Sequence, residues 1–194
     1  MRGPDRGIRT LLIPVAALLL AGCAAGIPPA VPPASSPPTG DLRASITDAG
    51  DPRTEPVAVR IPAIGVDSPL DPLGIAADGT AEVPVDHARA GWFAGGGRSS
   101  ATVLLGHVDS RSGPAVFFRL REVAPGDAVE VVRGGTVDRY VVERTEQVSK
   151  DAFPTFAVFG ATADDVVRLV TCAGDFDRGA RSYTDNLVVH ARRG

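Results

Sequence analysis

The stretch Val166-Val167-Arg168-Leu169-Val170-Thr171-Cys172 is an apolar, β-branched run that stops against the polar segment Ala173-Gly174-Asp175-Phe176-Asp177. Such a run reads as a buried strand that delivers its last residue to a loop mouth. The residue delivered is a thiol. The chain has 2 cysteines. With residues 1 to about 23 read as an export segment, Cys172 is the only one in the folded part, and an unpaired thiol in an exported protein calls for an explanation. Position alone leaves two explanations open. Free cysteine is often simply buried in a core; a reactive one needs an electropositive, partly exposed setting.

Upstream, the pattern is of short strands: Val57 to Ile61, Ala81 to Val85 and Ala101 to Leu105, separated by turn signals such as Asp78-Gly79 and Gly95-Gly96-Gly97. A short helical turn is expected at Pro114 to Arg121. Ala128 to Val132 and Asp138 to Val142, joined by Arg133-Gly134-Gly135-Thr136, form a β-hairpin candidate. A last strand is expected over Asn186 to Ala191. Seven or eight strands with little helix predict an all-β barrel or sandwich rather than an α/β fold. There is no internal repeat and no nucleotide-binding glycine motif.

At 194 residues, 44% of them hydrophobic, the chain suffices for one core of ordinary domain size. The net charge of -3, with signs interspersed and no basic run, gives no electrostatic footprint for nucleic acid. Nearly all basicity is arginine; the single lysine, Lys150, reads as part of a composition bias.

The N-terminus is organised differently. Arg2, Arg6 and Arg9 precede the apolar run Leu11 to Leu20, as in an export signal. The run ends in Leu20-Ala21-Gly22-Cys23, which resembles the lipobox of bacterial lipoproteins, where the cysteine is acylated. The alternative is an uncleaved anchor through Ile27, about 17 residues and marginal for spanning a bilayer. Either tethers the domain outside the cytoplasmic membrane. Residues 28–55 carry Pro28-Pro29, Pro32-Pro33 and Pro37-Pro38 with little apolar content. They read as a disordered, extended spacer rising on the order of 3 Å per residue where polyproline II persists. The domains expected are therefore a leader or anchor at 1–27, a linker at 28–55 and a catalytic domain at 56–194.

Thiol catalysis near neutral pH needs a basic partner for the sulfur and a donor for the oxyanion. Three histidines are available. His107, in Leu104-Leu105-Gly106-His107-Val108-Asp109-Ser110, ends an apolar strand as Cys172 does, and that position favours function. His87 and His190 read as structural.

The tetrapeptide Leu169-Val170-Thr171-Cys172 resembles the Leu-x-Thr-Cys signature of sortases, and Gly106-His107 resembles their catalytic histidine segment. The similarity extends to Arg60-Ile61-Pro62-Ala63-Ile64-Gly65-Val66-Asp67, Gly91-Trp92, Gly113-Pro114-Ala115-Val116-Phe117 and Ser182-Tyr183-Thr184-Asp185-Asn186. Together these look most like the class F sortases of actinobacteria, over residues 57 to 191.

The resemblance implies a Cys, His, Arg transpeptidase on an eight-stranded β-barrel with one or two short helices. In that scheme Cys172 attacks the Thr-Gly carbonyl of a Leu-Pro-x-Thr-Gly-like sorting signal and forms a thioacyl enzyme. An amine, usually from a lipid II-type cell-wall precursor, resolves it. His107 protonates the departing amine and later activates the incoming one, and an arginine donates to the substrate carbonyl. Matching backwards from Leu187-Val188-Val189 puts Asn186 where several sortases carry that arginine. Arg178 and Arg181 remain, and Arg181 is preferred because its longer excursion gives the loop room to fold back over the thiol. Thr171 is expected to contact substrate. No metal or organic cofactor follows from this chemistry, and a monomer is expected. Two rivals stay open: a thiol hydrolase on the same scaffold, and a non-catalytic surface lipoprotein that binds a partner.

Overall fold

A computed structural model describes residues 54–95 and 101–194, all within the compact unit Ser45–Gly194. The expected leader or anchor at 1–27, Cys23, most of the spacer at 28–55 and the turn at Gly96-Gly97 lie outside the described residues.

The chain forms β1 (Pro56–Ile61), β2 (Val66–Leu73), β3 (Ala90–Phe93), β4 (Ala101–Leu105), β5 (Asp109–Ser110), β6 (Gly113–Pro114), β7 (Ala128–Arg133), β8 (Thr136–Ser149), α1 (Thr155–Phe159), β9 (Val166–Asp177) and β10 (Ser182–Arg193), with short 3-10 turns between some of them. Eight strands close a barrel in the order β1-β2-β3-β4-β9-β10-β8-β7, and β5 and β6 form a separate small ribbon. The expected all-β, eight-stranded barrel is what the chain adopts. Most neighbours are antiparallel; β2 with β3 and β4 with β9 run parallel.

Period-two alternation explains the barrel interior. Val59 and Ile61 of β1, Val129 and Val131 of β7, Tyr140 and Val142 of β8, and Val167 and Leu169 of β9 all point inward and are almost fully buried. Each such side chain contributes about 1.5–3 kcal/mol through apolar area removed from water. Alternate residues of β4, β9 and β10, namely Val103, Leu105, Val170 and Val188, face outward and form a second cluster with Val158 of α1. The hairpin foreseen at Arg133 to Thr136 forms: Gly134 and Gly135 both take positive φ, 52° and 90°, as a two-residue connection between twisted strands requires.

Several local expectations are corrected. Ala81 to Val85 is not a strand; it makes only an isolated bridge, Ile75 to Ala81. Val83 and Val85 are 59% and 96% exposed, so the alternation has no core to face, and Pro84 brings no N–H to a ladder. The helical turn expected at Pro114 to Arg121 is a 3-10 turn over Phe118–Glu122. β2 was not foreseen, since Pro69 and Pro72 argue against a strand. It forms because Val66–Pro69 pairs with β1 and Leu70–Leu73 with β3. Each half is thus paired mainly on one side, where a missing donor is tolerated. Finally, β9 does not stop at Cys172. Its core-facing part ends there, but the polar continuation to Asp177 pairs with the start of β10 as an exposed hairpin, because backbone pairing does not need apolar side chains.

Candidate active site

Because β4 and β9 are parallel and Leu105 is in register with Val170, both strands finish at the same end of the barrel. The Gly106 N–H donates to the Val170 carbonyl at 3.2 Å, carrying the ladder one step further. The chain therefore delivers His107 and Cys172, 65 positions apart in sequence, to the same end of the barrel, although His107 is not among the residues lining the cleft at Cys172. The opposite end is plugged by a buried polar cluster. Arg133 pairs with Asp138 at 3.1 Å, reaches the Thr54 carbonyl at 3.0 Å and donates to the Thr102 hydroxyl. Arg193 adds a second contact to Asp138 at 2.8 Å.

Cys172 is a free, half-buried thiol. It lines a cleft of about 390 Å³ with Thr171, Gly174, Phe117, Arg121 and Tyr183. Just past it, the register between β9 and β10 shifts and Gly174 takes φ 79°. A Cβ there would come within 2.4 Å of the Thr184 Oγ1. The glycine is needed both for the left-handed conformation and for this close approach at the register shift.

Next to this cleft but not lining it, the 3-10 turn at Lys150–Ala152 and then α1 follow β8. Ser149 caps that turn by accepting from the Asp151 N–H at 3.3 Å. Arg168 donates to the carbonyls of Val158 and Gly160 at 2.6 and 3.4 Å, satisfying the end of α1; burial there pushes the Arg168 guanidinium down. The outcome is that Lys150 places its Nζ 3.6 Å from the Cys172 Sγ and 2.8 Å from the Ser182 Oγ.

On the far side, the Tyr183 hydroxyl donates to the Asp109 carboxylate, tying the start of β10 to the segment that follows His107. That hydrogen bond, reinforced by desolvation, pushes the Tyr183 phenol up. Arg121 stands at the cleft margin with its guanidinium 4.2 Å from the centre of the Phe118 ring.

The expected residues are placed as follows. Cys172 and Thr171 share the cleft. Thr171 is 4% exposed, and its hydroxyl has no hydrogen-bond partner among the described residues. His107 emerges at the same barrel end, but its Nε2 donates to the Pro84 carbonyl at 2.7 Å. Its ring stacks on His87, with centroids 4.2 Å apart. The segment around Pro84 and His87 is in turn held by Val116, whose N–H donates to the His87 carbonyl at 2.9 Å, and by Arg89, whose Nε donates to Asp71 at 2.9 Å. Arg178 and Arg181 are exposed at the turn between β9 and β10, with Arg181 at φ 52°, and neither lines the cleft. His190 lies inside β10, away from this end.

The sequence reading missed Lys150, Arg121 and the Tyr183–Asp109 contact. Only Lys150 had a visible signal, as the one lysine in a chain whose other basic residues are arginine. Among the described residues no group of three or more His, Cys, Asp or Glu side chains is disposed to hold a metal, and no helix is long and apolar enough to cross a membrane.

Comparison with known proteins agrees with this architecture. A family model described as the sortase domain matches residues 59–194. Among solved structures, sortase C-1 from Actinomyces oris is similar at 22% identity and TM-score 0.53, over 71% of this chain and 72% of that one. Sortase C-1 from Streptococcus pneumoniae is similar at 25% identity and TM-score 0.55, over 71% of this chain and 65% of that one. Sortase A from Listeria monocytogenes matches with 16% identity and TM-score 0.55, over 73% of this chain and 88% of that one. No curated protein matches the sequence at a significant level.

Proposed function

Since the chain belongs to the sortase family, whose members are cysteine transpeptidases, we propose that it is a class F-like sortase. In this reading it cleaves a Leu-Pro-x-Thr-Gly-like signal between Thr and Gly and passes the acyl group to a cell-wall amine of the lipid II type. It works as a monomer on the outer face of the cytoplasmic membrane, held there by a lipidated Cys23 or an uncleaved N-terminal helix.

The observation that carries the reading is the half-buried, unpaired sulfur of Cys172, lining a cleft at the barrel end where His107 emerges. Cys172 attacks the peptide carbonyl, the carbon–sulfur bond forms, and the electron pair moves onto oxygen. As the intermediate collapses, the carbon–nitrogen bond breaks and His107 gives its proton to the departing amine. The incoming amine reverses these steps. To reach the leaving nitrogen, the His107 imidazole must exchange its bond to the Pro84 carbonyl for one to substrate. The unpartnered Thr171 hydroxyl is a donor available to the bound peptide, since leaving it unpaired costs free energy. Arg181 is assigned to the substrate carbonyl oxygen on the family resemblance; that role requires the β9–β10 turn to fold inward over the cleft.

Incubating the purified domain with a Leu-Pro-x-Thr-Gly peptide, with and without an amine acceptor, tests the reaction. The expected result is an amide to the acceptor and a thioacyl adduct on Cys172 by mass spectrometry. Free acid alone in both tubes identifies a thiol hydrolase instead. Absence of any adduct, with a Cys172 that resists alkylation until the chain is unfolded, identifies a binding module.

A further inference from the structure

We propose that Lys150 is a catalytic residue, the cation that faces the Cys172 sulfur and stabilises the negative charge it carries as it attacks and as it departs, a role distinct from the carbonyl contact assigned to Arg181. Resting on the transpeptidase reading for its substrate, the proposal stands on geometry for its chemistry.

The ammonium lies 3.6 Å from the sulfur, close enough that two opposite charges attract strongly in a half-buried setting. Lys150 makes no ion pair among the described residues; its other partner is the neutral Ser182 hydroxyl at 2.8 Å. A half-buried ammonium with no ion pair among the described residues is costly, and the Cys172 sulfur is one of its two side-chain partners. Its position is also built rather than incidental. The 3-10 turn that carries it is capped by Ser149, and the α1 segment that follows is packed on Val170 and Val188 through Val158. Asn186, not an arginine, is the β10 residue in register with Cys172; Arg178 and Arg181, like Lys150, are not among the residues lining the cleft, and the arginine that is on it is Arg121.

In the first half-reaction the sulfur gives up its charge as the carbon–sulfur bond forms, and it recovers the charge when the acceptor amine displaces it. Lys150 therefore stabilises negative charge on the sulfur at the start of the cycle and again when the sulfur leaves at its end.

The test compares Lys150→Met and Lys150→Arg with wild type in two assays. The first is the rate of Cys172 alkylation by iodoacetate divided by that by iodoacetamide, a ratio in which access to the sulfur and its fraction ionised cancel, leaving the local charge. The second is the rate of thioacyl formation with a sorting-signal peptide. Lys150→Met is expected to lower the ratio at least threefold and thioacylation at least tenfold, with KM little changed. Lys150→Arg, which keeps the charge, is expected to retain the ratio and part of the rate. An unchanged ratio, or thioacylation within twofold of wild type in Lys150→Met, overturns the proposal. Should Lys150→Met fail to fold, Lys150→Gln is read by the same criteria. A wild-type protein that forms no thioacyl adduct sinks the transpeptidase reading, while the alkylation ratio still decides whether Lys150 acts on the sulfur.

Discussion

Leu105 and Val170 are partners in a parallel ladder, and this pairing makes an active end out of two distant segments. Antiparallel neighbours would have sent their following residues to opposite ends of the barrel. Parallel strands send them to the same end, so Gly106-His107 and Thr171-Cys172 leave side by side. Each segment is further constrained by the other, through the bond from the Gly106 N–H to the Val170 carbonyl.

Cys172→Ala is expected to abolish acyl transfer while leaving thermal unfolding within a few degrees of wild type, because the side chain only half contributes to packing. His107→Ala is expected to lower the rate by about 10²- to 10⁴-fold, the usual cost of losing a general acid or base. His87→Ala, which removes only the stacked neighbour, should stay within about tenfold. Steady-state kinetics on the three variants checks this, and a His107→Ala rate within a few-fold of wild type contradicts the assignment.

Arg181→Ala against Arg178→Ala separates the two loop guanidiniums. Arg181→Ala is expected to lower the transfer rate by at least tenfold and Arg178→Ala by no more than a few-fold. Equal, mild effects would show that the hairpin turn supplies no guanidinium to the reaction.

Gly174→Ala is expected to impair the enzyme without touching a reacting group. The added Cβ meets the Thr184 Oγ1 and the Asp185 carboxylate at 2.4 and 2.8 Å, and a positive φ costs an L-residue about 1–2 kcal/mol. Both push the hairpin out of register beside Cys172. Urea unfolding should show a loss of about 1–3 kcal/mol, with a fall in acyl transfer larger than any fall in the folded fraction.

Asp138→Ala removes the carboxylate from Arg133 and Arg193 at the closed end of the barrel. Arg133 is 2% exposed, so the variant leaves a guanidinium buried without its counter-charge, expected to cost about 3–5 kcal/mol. Thr102→Val, which removes only one acceptor from Arg133, should cost about 1–3 kcal/mol. If chemical denaturation shows Asp138→Ala no more damaging than Thr102→Val, water must reach the pair.

His190 makes stability depend on pH. Burial, the largest cause, and the nearby Arg144 push its imidazole below the ordinary histidine value of 6.5, against the attraction of Glu146. The unfolded chain therefore binds a proton more readily than the folded one, so stability rises with pH in this window. The contribution is present above about pH 6.5 and is lost as pH falls toward the folded value. His190→Gln should flatten the slope of unfolding free energy between about pH 5 and 7. A slope identical to wild type would show that His190 is not its source.

The strands with clean alternation or a continuous apolar run, β1, β4, β7 and the inner part of β9, were legible in the sequence, because burial on one face imposes a period that composition records. The same logic misread Ala81 to Val85, where the alternation faces solvent, and overlooked β2, where prolines sit on backbone that needs no donor. The hairpin glycines Gly134 and Gly135 were legible because positive φ leaves little choice of residue.

The amino-acid sequence by itself determined the thiol, the histidine segment, the all-β class and the family resemblance, since these depend on local chemistry and on periodicity that each segment carries alone. The tertiary structure decided what stands next to the sulfur. Closing the barrel with β4 parallel to β9 brings His107 to the end where Cys172 lies. The 3-10 turn after β8 sets the ammonium of Lys150 against the thiol, and the β9–β10 hairpin leaves Arg178 and Arg181 out of the cleft lining. Such neighbours are fixed by the register and closure of the whole sheet, which no single segment of the chain encodes.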